Sequence, residues 1–172
     1  MDKVLLSSKK MDWCTPQSLF DTLNQEFNFT LDVAASDLNA KCPSYYTVNC
    51  DALRIPWRGT IFCNPPYGRE LHKWVRKSYT ASRLGATVVM LIPARTDASY
   101  WHKYIFPHAE IRFLPGRIEF EDEYGNKHGR APFPSAVIIF RPNTSDILPH
   151  EASESGWCQS PICMRRNTYH DK

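Results

Sequence analysis

The sequence carries little net charge, no apolar run of membrane-spanning length and no tightly spaced cysteine pair. A formal charge of only +3 gives no general polyanion-binding signature, so any grip on nucleic acid must come from local patches. Without a long apolar run or a signal-peptide pattern at the N-terminus, the expectation is a cytoplasmic protein with no membrane partner. Cys14, Cys42, Cys50 and Cys63 are scattered through apolar or loop contexts. Cys158 and Cys163 sit in a polar tail near His150 and His170, which complete a zinc set on paper. Neither a CxxC pair nor a helical histidine pair is present, so reduced thiols and no metal are expected. No internal repeat is visible.

What is present is the composition of an ordinary globular protein, 42% hydrophobic and 23% charged. A chain of 172 residues holds one domain with a real core and is too short for two large ones. Thr15 can cap a helix opened by Pro16, and Leu19, Phe20, Leu23 and Phe27 make its apolar stripe. Residues 29–34 read as a strand and 35–47 as an irregular segment. Residues 59–63, bounded by glycine and proline, read as a short buried strand. A second helix is expected over 69–84, with Leu71, Trp74, Val75 and Tyr79 on one face. Thr87 to Ile92 is a continuous apolar run, the pattern of a central parallel strand. Asp97 is expected to cap a short helix containing Tyr100, Trp101 and Tyr104. Residues 110–121 and 135–141 look like an antiparallel closing hairpin. The class is therefore α/β, with a mostly parallel sheet and an antiparallel end. After Pro142 the composition turns polar, giving a domain over 1–142 and a mobile tail over 143–172.

The most informative residues are Asn64-Pro65-Pro66-Tyr67. An exocyclic amine on a base or amide is a poor nucleophile because its lone pair is delocalised into the π system. The Asn64 side-chain oxygen and the Pro65 carbonyl can each accept one N–H of such an amine, which favours a more tetrahedral nitrogen. Two consecutive prolines hold that carbonyl in place by fixing φ. Tyr67 offers an aromatic face on which a flipped base can stack. Four residues alone also fit a plain turn. Their position at the carboxyl end of a buried strand is where open α/β sheets bind ligands.

Three further segments occur in a fixed order with the tetrad: Trp13-Cys-Thr-Pro16, Leu31-Asp-Val-Ala-Ala-Ser36 and Asp51-Ala-Leu53, followed by Phe62-Cys-Asn-Pro-Pro-Tyr67. Downstream come Leu91-Ile-Pro-Ala-Arg-Thr-Asp97, Phe113-Leu-Pro-Gly-Arg-Ile-Glu-Phe120 and Ala131-Pro-Phe-Pro-Ser135. Over roughly residues 11–142 this set resembles the phage-type DNA N6-adenine methyltransferases, the small Dam-like enzymes of bacteriophages and prophages. The resemblance implies a Rossmann-like S-adenosylmethionine-dependent methyltransferase fold and a protein made in a bacterial host cell. It also implies methyl transfer from S-adenosylmethionine to N6 of a flipped adenine in double-stranded DNA, by a monomer or weak dimer.

The same resemblance implies a cofactor site built from Trp13, Thr15, Pro16, Asp32, Ala34, Asp51, Ala52 and Asn64. Asp32 and Ala34 would hold the methionine part, Asp51 the adenine amine and the helix start at Thr15-Pro16 the carboxylate. Ala34, Ala35 and Ser36 stand where the superfamily usually has glycines, a departure from its pattern. As residues in isolation, Asp51 also fits a turn and Thr15 a simple helix cap.

A small enzyme with no separate recognition domain has to hold DNA with loops around the pocket. The candidates are Arg69, Lys73, Arg95, Arg117, Lys127 and Arg130, with His128 beside them, and each also fits a solvated surface. Tyr100, Trp101 and Phe120 read as core residues. Other substrates for the same chemistry stay open at this point: cytosine N4, RNA adenine and protein glutamine. So do a non-catalytic DNA- or cofactor-binding relative and a nucleotide-binding scaffold.

Overall fold

The computed structural model describes residues 13–122, 124–142 and 165–166. The first helix, α1 (Gln17–Phe27), buries Phe20, Leu23 and Phe27. It starts one residue later than expected. Pro16 is the residue before the first turn, with an extended ψ of 137°, and Thr15 makes no capping bond. The Pro16 carbonyl accepts the Leu19 and Phe20 amides instead. At the other end Asn28 turns left-handed at φ 53° and donates to the Asn24 carbonyl, while the Asn24 side chain accepts the Phe29 amide.

A seven-stranded sheet forms the centre. β1 (Leu31–Asp32), β2 (Ser44–Tyr45), β3 (Thr60–Cys63) and β4 (Thr87–Pro93) run parallel, in the spatial order β2, β1, β3, β4. β5 (Glu110–Phe113) lies at the far edge, with β8 (Ser135–Phe140) inserted antiparallel between it and β4. β6 (Glu119–Glu121) and β7 (Lys127–Arg130) form a separate ribbon. Arg165–Arg166, the only described part of the expected tail, add β9 antiparallel to β2. Cys158, Cys163, His150 and His170 lie outside the described residues.

Several expected elements are shorter or divided. The 29–34 strand is regular only at Leu31–Asp32, although Thr30 and Val33 donate to Thr60 and Phe62 on either side. The 35–47 segment contains β2, because Tyr46 donates to Asp32 and draws the chain alongside β1. The 110–121 strand breaks into β5 and β6 at Pro115, which has no N–H, and Gly116, whose φ is +73°. The expected helix after Asp97 is a π-helical stretch, Trp101–Ile105, running into the α-helical turn Phe106–His108.

The sheet is covered on both faces. Successive residues of a strand point opposite ways. On β3, Phe62 packs against Phe20 of α1 with ring centroids 5.1 Å apart. Its neighbour Cys63 shares a hydrogen bond with Ser78 of the second helix, α2 (Leu71–Arg83). Two-sided cover explains why β4 and β8 are apolar without alternation and almost wholly buried. Each aliphatic side chain so buried contributes about 1.5–3 kcal/mol. Among the described residues no helix is long and apolar enough to cross a membrane.

The direction of the strands decides where a site can form. β1, β3, β4 and β5 all point the same way, so the segments after Asp32, Cys63, Pro93 and Phe113 leave one edge of the sheet. From β1 the chain moves outward to β2, then crosses back to β3 on the other side. The carboxyl ends of β1 and β3 therefore flank the switch point of the sheet.

Gly59 sits where β3 begins, at φ +82°, and a Cβ there would lie 2.8 Å from Thr30 Oγ1. That hydroxyl is pinned by hydrogen bonds to the Thr60 carbonyl and amide. Gly59→Ala is expected to lower stability by about 1–3 kcal/mol in denaturant unfolding.

Candidate active site

β3 ends in Cys63, and the chain then presents Asn64 half-buried, Pro65 buried and Pro66 exposed. The Asn64 amide is held at both ends. Its Nδ2 donates to the Trp13 carbonyl, and its Oδ1 accepts the Tyr67 hydroxyl at 2.6 Å. That hydroxyl also lies 3.1 Å from the Leu91 carbonyl of β4. Burial pushes the Tyr67 phenol well above its ordinary value, with the neighbouring Cys63 adding to the effect, so it stays protonated as a donor. Among the described residues no hydrogen bond reaches the Pro65 carbonyl.

Tyr67 itself is buried, with Phe133 and Phe120 meeting it edge-to-face at 5.6 and 6.0 Å. It lines neither of the two cavities described below, so stacking a base on its face requires that ring to be uncovered.

A small cavity of about 50 Å³ adjoins Asn64 and Pro65. Trp13, Thr15, Asp32, Ala34 and Lys41 also line it. A larger cavity of about 830 Å³ shares Trp13, Ala34, Asn39 and Pro66 with the first and extends past Asp51, Ala52 and Trp74. Its volume is in the range of small-molecule sites. The cofactor residues anticipated from the sequence therefore come together around two adjoining cavities, with one exception. Pro16 lines neither and serves to start α1.

Asp32 is 3% exposed and accepts the Ala34 amide at 3.2 Å and the Lys41 amide at 3.1 Å. Burial raises its pKa to about 6, against the lowering effect of those two bonds and the Lys41 charge. The turn after it is closed rather than open to a ligand. The Ala34 amide serves Asp32, Ala35 donates to the Tyr46 carbonyl and Ser36 to the Asn39 side chain. Small side chains here leave no spare N–H groups of the kind a glycine-rich turn offers. Thr15 Oγ1, by contrast, is buried beside this turn with no hydrogen-bond partner. Asp51 is exposed at the cavity wall, at φ 43°, and its carboxylate pairs with Arg54 at 3.0 Å.

The candidate DNA contacts divide into two groups. Arg69, Arg95 and Arg117 are exposed, each on a loop leaving the same sheet edge. Lys73 pairs with Glu70 on α2, and Lys127 and Arg130 both approach Glu119 across the ribbon, at 3.7 and 3.9 Å. The His128 side chain lies outside the described residues. Among the described residues no group of three His, Cys, Asp or Glu could hold a metal ion.

A family profile described as DNA N-6-adenine-methyltransferase (Dam) matches residues 3–155. The chain belongs to the Dam family. One relative, the DNA N-6-adenine-methyltransferase of Escherichia phage T1, is 27% identical over 122 residues, which is 69% of this chain and 50% of the relative. Another, the putative methyltransferase YfdM of Escherichia coli (strain K12), is 40% identical over 63 residues, covering 32% of this chain and 69% of the relative. The chain spans about half the length of the phage T1 protein.

In this Dam-family chain the sequence pattern missed Lys41, Asn39 and the ribbon residues Glu121, Asp122 and Tyr124, which close the far wall of the large cavity. Lys41 follows Asp32 by nine residues in a segment with no periodicity, and only the Asp32–Lys41 bond reveals the link. The ribbon reaches the cavity because Cys14 and Glu121 exchange two backbone hydrogen bonds, a long-range pairing with no local signal.

The buried Asp32 has a consequence for pH. Its folded pKa lies above the ordinary 3.8, so the unfolded chain releases this proton first as pH rises. Its contribution is complete below about pH 4 and is lost as pH rises through 6. Comparing wild type with Asp32→Asn by denaturant unfolding at pH 4 and pH 7 isolates that term. The wild type is expected to lose up to roughly 3 kcal/mol relative to the variant over this interval.

Proposed function

We propose that this chain is an S-adenosylmethionine-dependent methyltransferase of Rossmann-like fold, acting on N6 of a flipped adenine in double-stranded DNA. The observation that carries the proposal is the position of Asn64 and Pro65. Both residues follow β3 at the switch point of the sheet and line the smaller of the two adjoining cavities. The family membership and the name of the phage relative support the substrate.

The residues present fit the cofactor. The orphaned Thr15 hydroxyl and the amino end of α1 suit its carboxylate, and the buried Asp32 carboxylate suits its ammonium group. Asp51, with Ala52 beside it, would accept the adenine amine at the wall of the larger cavity. When bound, S-adenosylmethionine supplies an electrophilic methyl group on a sulfonium. Asn64 Oδ1 has one lone pair engaged by Tyr67 and one left over. That second lone pair and the Pro65 carbonyl hold the two N–H groups of the acceptor amine and draw its lone pair out of the ring plane. The flipped base stacks on Tyr67 once that ring is uncovered. Arg69, Arg95 and Arg117 take phosphates from loops on the site's edge, and Lys73, Lys127 and Arg130 do so by exchanging their carboxylate partners.

One observation favours a second reading. The amides of Ala34, Ala35 and Ser36 are occupied internally, so the donor's cradle is poorer than a glycine-rich one, as in a binding protein without turnover. Methyl transfer to duplex DNA by the purified chain, followed with a labelled methyl group, separates the two. Asn64→Ala is expected to lower the rate by about 10²–10³. Activity unaffected by that change defeats the mechanism, and tight cofactor binding without transfer to any DNA leaves only the binder. Asp51→Ala should weaken cofactor binding about tenfold, the loss of one charge-assisted hydrogen bond.

A further inference from the structure

An asparagine amide has two chemically opposite ends. Only the oxygen can accept an amine N–H, and a half-turn of the amide would set its own NH₂ against that donor. In this chain the two ends are told apart by two partners from different parts of the fold. The Trp13 carbonyl takes Nδ2, and the Tyr67 hydroxyl donates to Oδ1 at 2.6 Å. The Leu91 carbonyl on the central strand β4, 3.1 Å away, is a second and longer acceptor for the same single proton.

Both partners are braced on the same two rings. Trp13 packs on Phe120 and Phe133 at 5.4 and 5.5 Å, and Tyr67 packs on Phe133 and Phe120 at 5.6 and 6.0 Å. Phe120 comes from the ribbon and Phe133 from the connection into β8. The cluster therefore ties the N-terminal segment, the tetrad and the ribbon to one side chain. Stacking uses only the ring of Tyr67, so it gives no reason for the hydroxyl.

We propose that the Tyr67 hydroxyl is a positioning group that fixes Asn64 with Oδ1 toward the acceptor amine. It touches no reacting atom in this role and acts through Asn64. The proposal rests on the reading of Asn64 as the acceptor of the amine.

The test is a double-mutant cycle on the full chain. Tyr67→Phe keeps the ring and removes the hydroxyl. Asn64→Asp replaces the amide by a carboxylate, whose two oxygens need no orienting. Tyr67→Phe alone should lower kcat about tenfold with KM for DNA changed less than about twofold. In the Asn64→Asp background it should cost less than about twofold. Equal losses in both backgrounds would overturn the proposal, because a packing or stacking role does not depend on which oxygen is presented. If Tyr67→Phe fails to fold or Asn64→Asp is too slow to measure, the wild-type proton spectrum decides. A slowly exchanging Tyr67 hydroxyl proton in through-space contact with the Asn64 amide is expected, and rapid exchange with water overturns it. That spectrum is recorded without DNA or cofactor, so its outcome is independent of whether the chain transfers a methyl group.

Discussion

The parallel pairing of β1 with β3 is the constraint on which the site depends. Leu31 lies opposite Ile61 and Asp32 opposite Phe62, so the Asp32 turn and the Asn64 tetrad leave the sheet side by side. Because strand side chains alternate faces, a slip of one residue would turn Phe62 away from α1 and bring Cys63 out of contact with Ser78. The register is thus enforced by burial on both faces. The site inherits its geometry from the core and needs no separate scaffold.

Two kinds of polar group are buried at that point, and they are treated differently by the fold. The Asp32 carboxylate is satisfied by two backbone amides yet still desolvated enough to hold its proton up to about pH 6. The Thr15 hydroxyl has no partner among the described residues. The first is a cost that a nearby cation would relieve, and the second is an opening for a ligand acceptor or donor. Both residues line the small cavity next to Asn64. The Asn64 amide is the opposite case, held at both ends by Trp13 and Tyr67, which is the preorganisation that its proposed acceptor role requires.

The apolar run from Thr87 to Ile92, the stripe of α1 and the strand before the tetrad were legible because each follows a local period or a buried run. The split between β5 and β6 was marked locally by Pro115-Gly116, but which sheet each half joined was not. β5 joins the main sheet through β8 and β6 pairs with β7. Both choices depend on pairings between distant residues. Thr15 shows the same limit in a side chain. Its position before Pro16 matches a helix cap, yet the helix starts at Gln17 after an extended Pro16, and the Thr15 hydroxyl is buried without a partner.

What the sequence determined by itself was the set of chemical groups and their order along the chain. Asn64, Pro65, Asp32 and Asp51 carry recognisable acceptor chemistry whatever surrounds them, and the ordered motifs identify the family. The tertiary structure decided what each group is free to do. It closed the backbone of the Ala34–Ser36 turn and buried the ring of Tyr67 while giving its hydroxyl to Asn64. It also brought the ribbon and Lys41 to the cavities. Those outcomes depend on hydrogen bonds and packing between residues far apart in the chain, and no local pattern of residue types encodes such contacts.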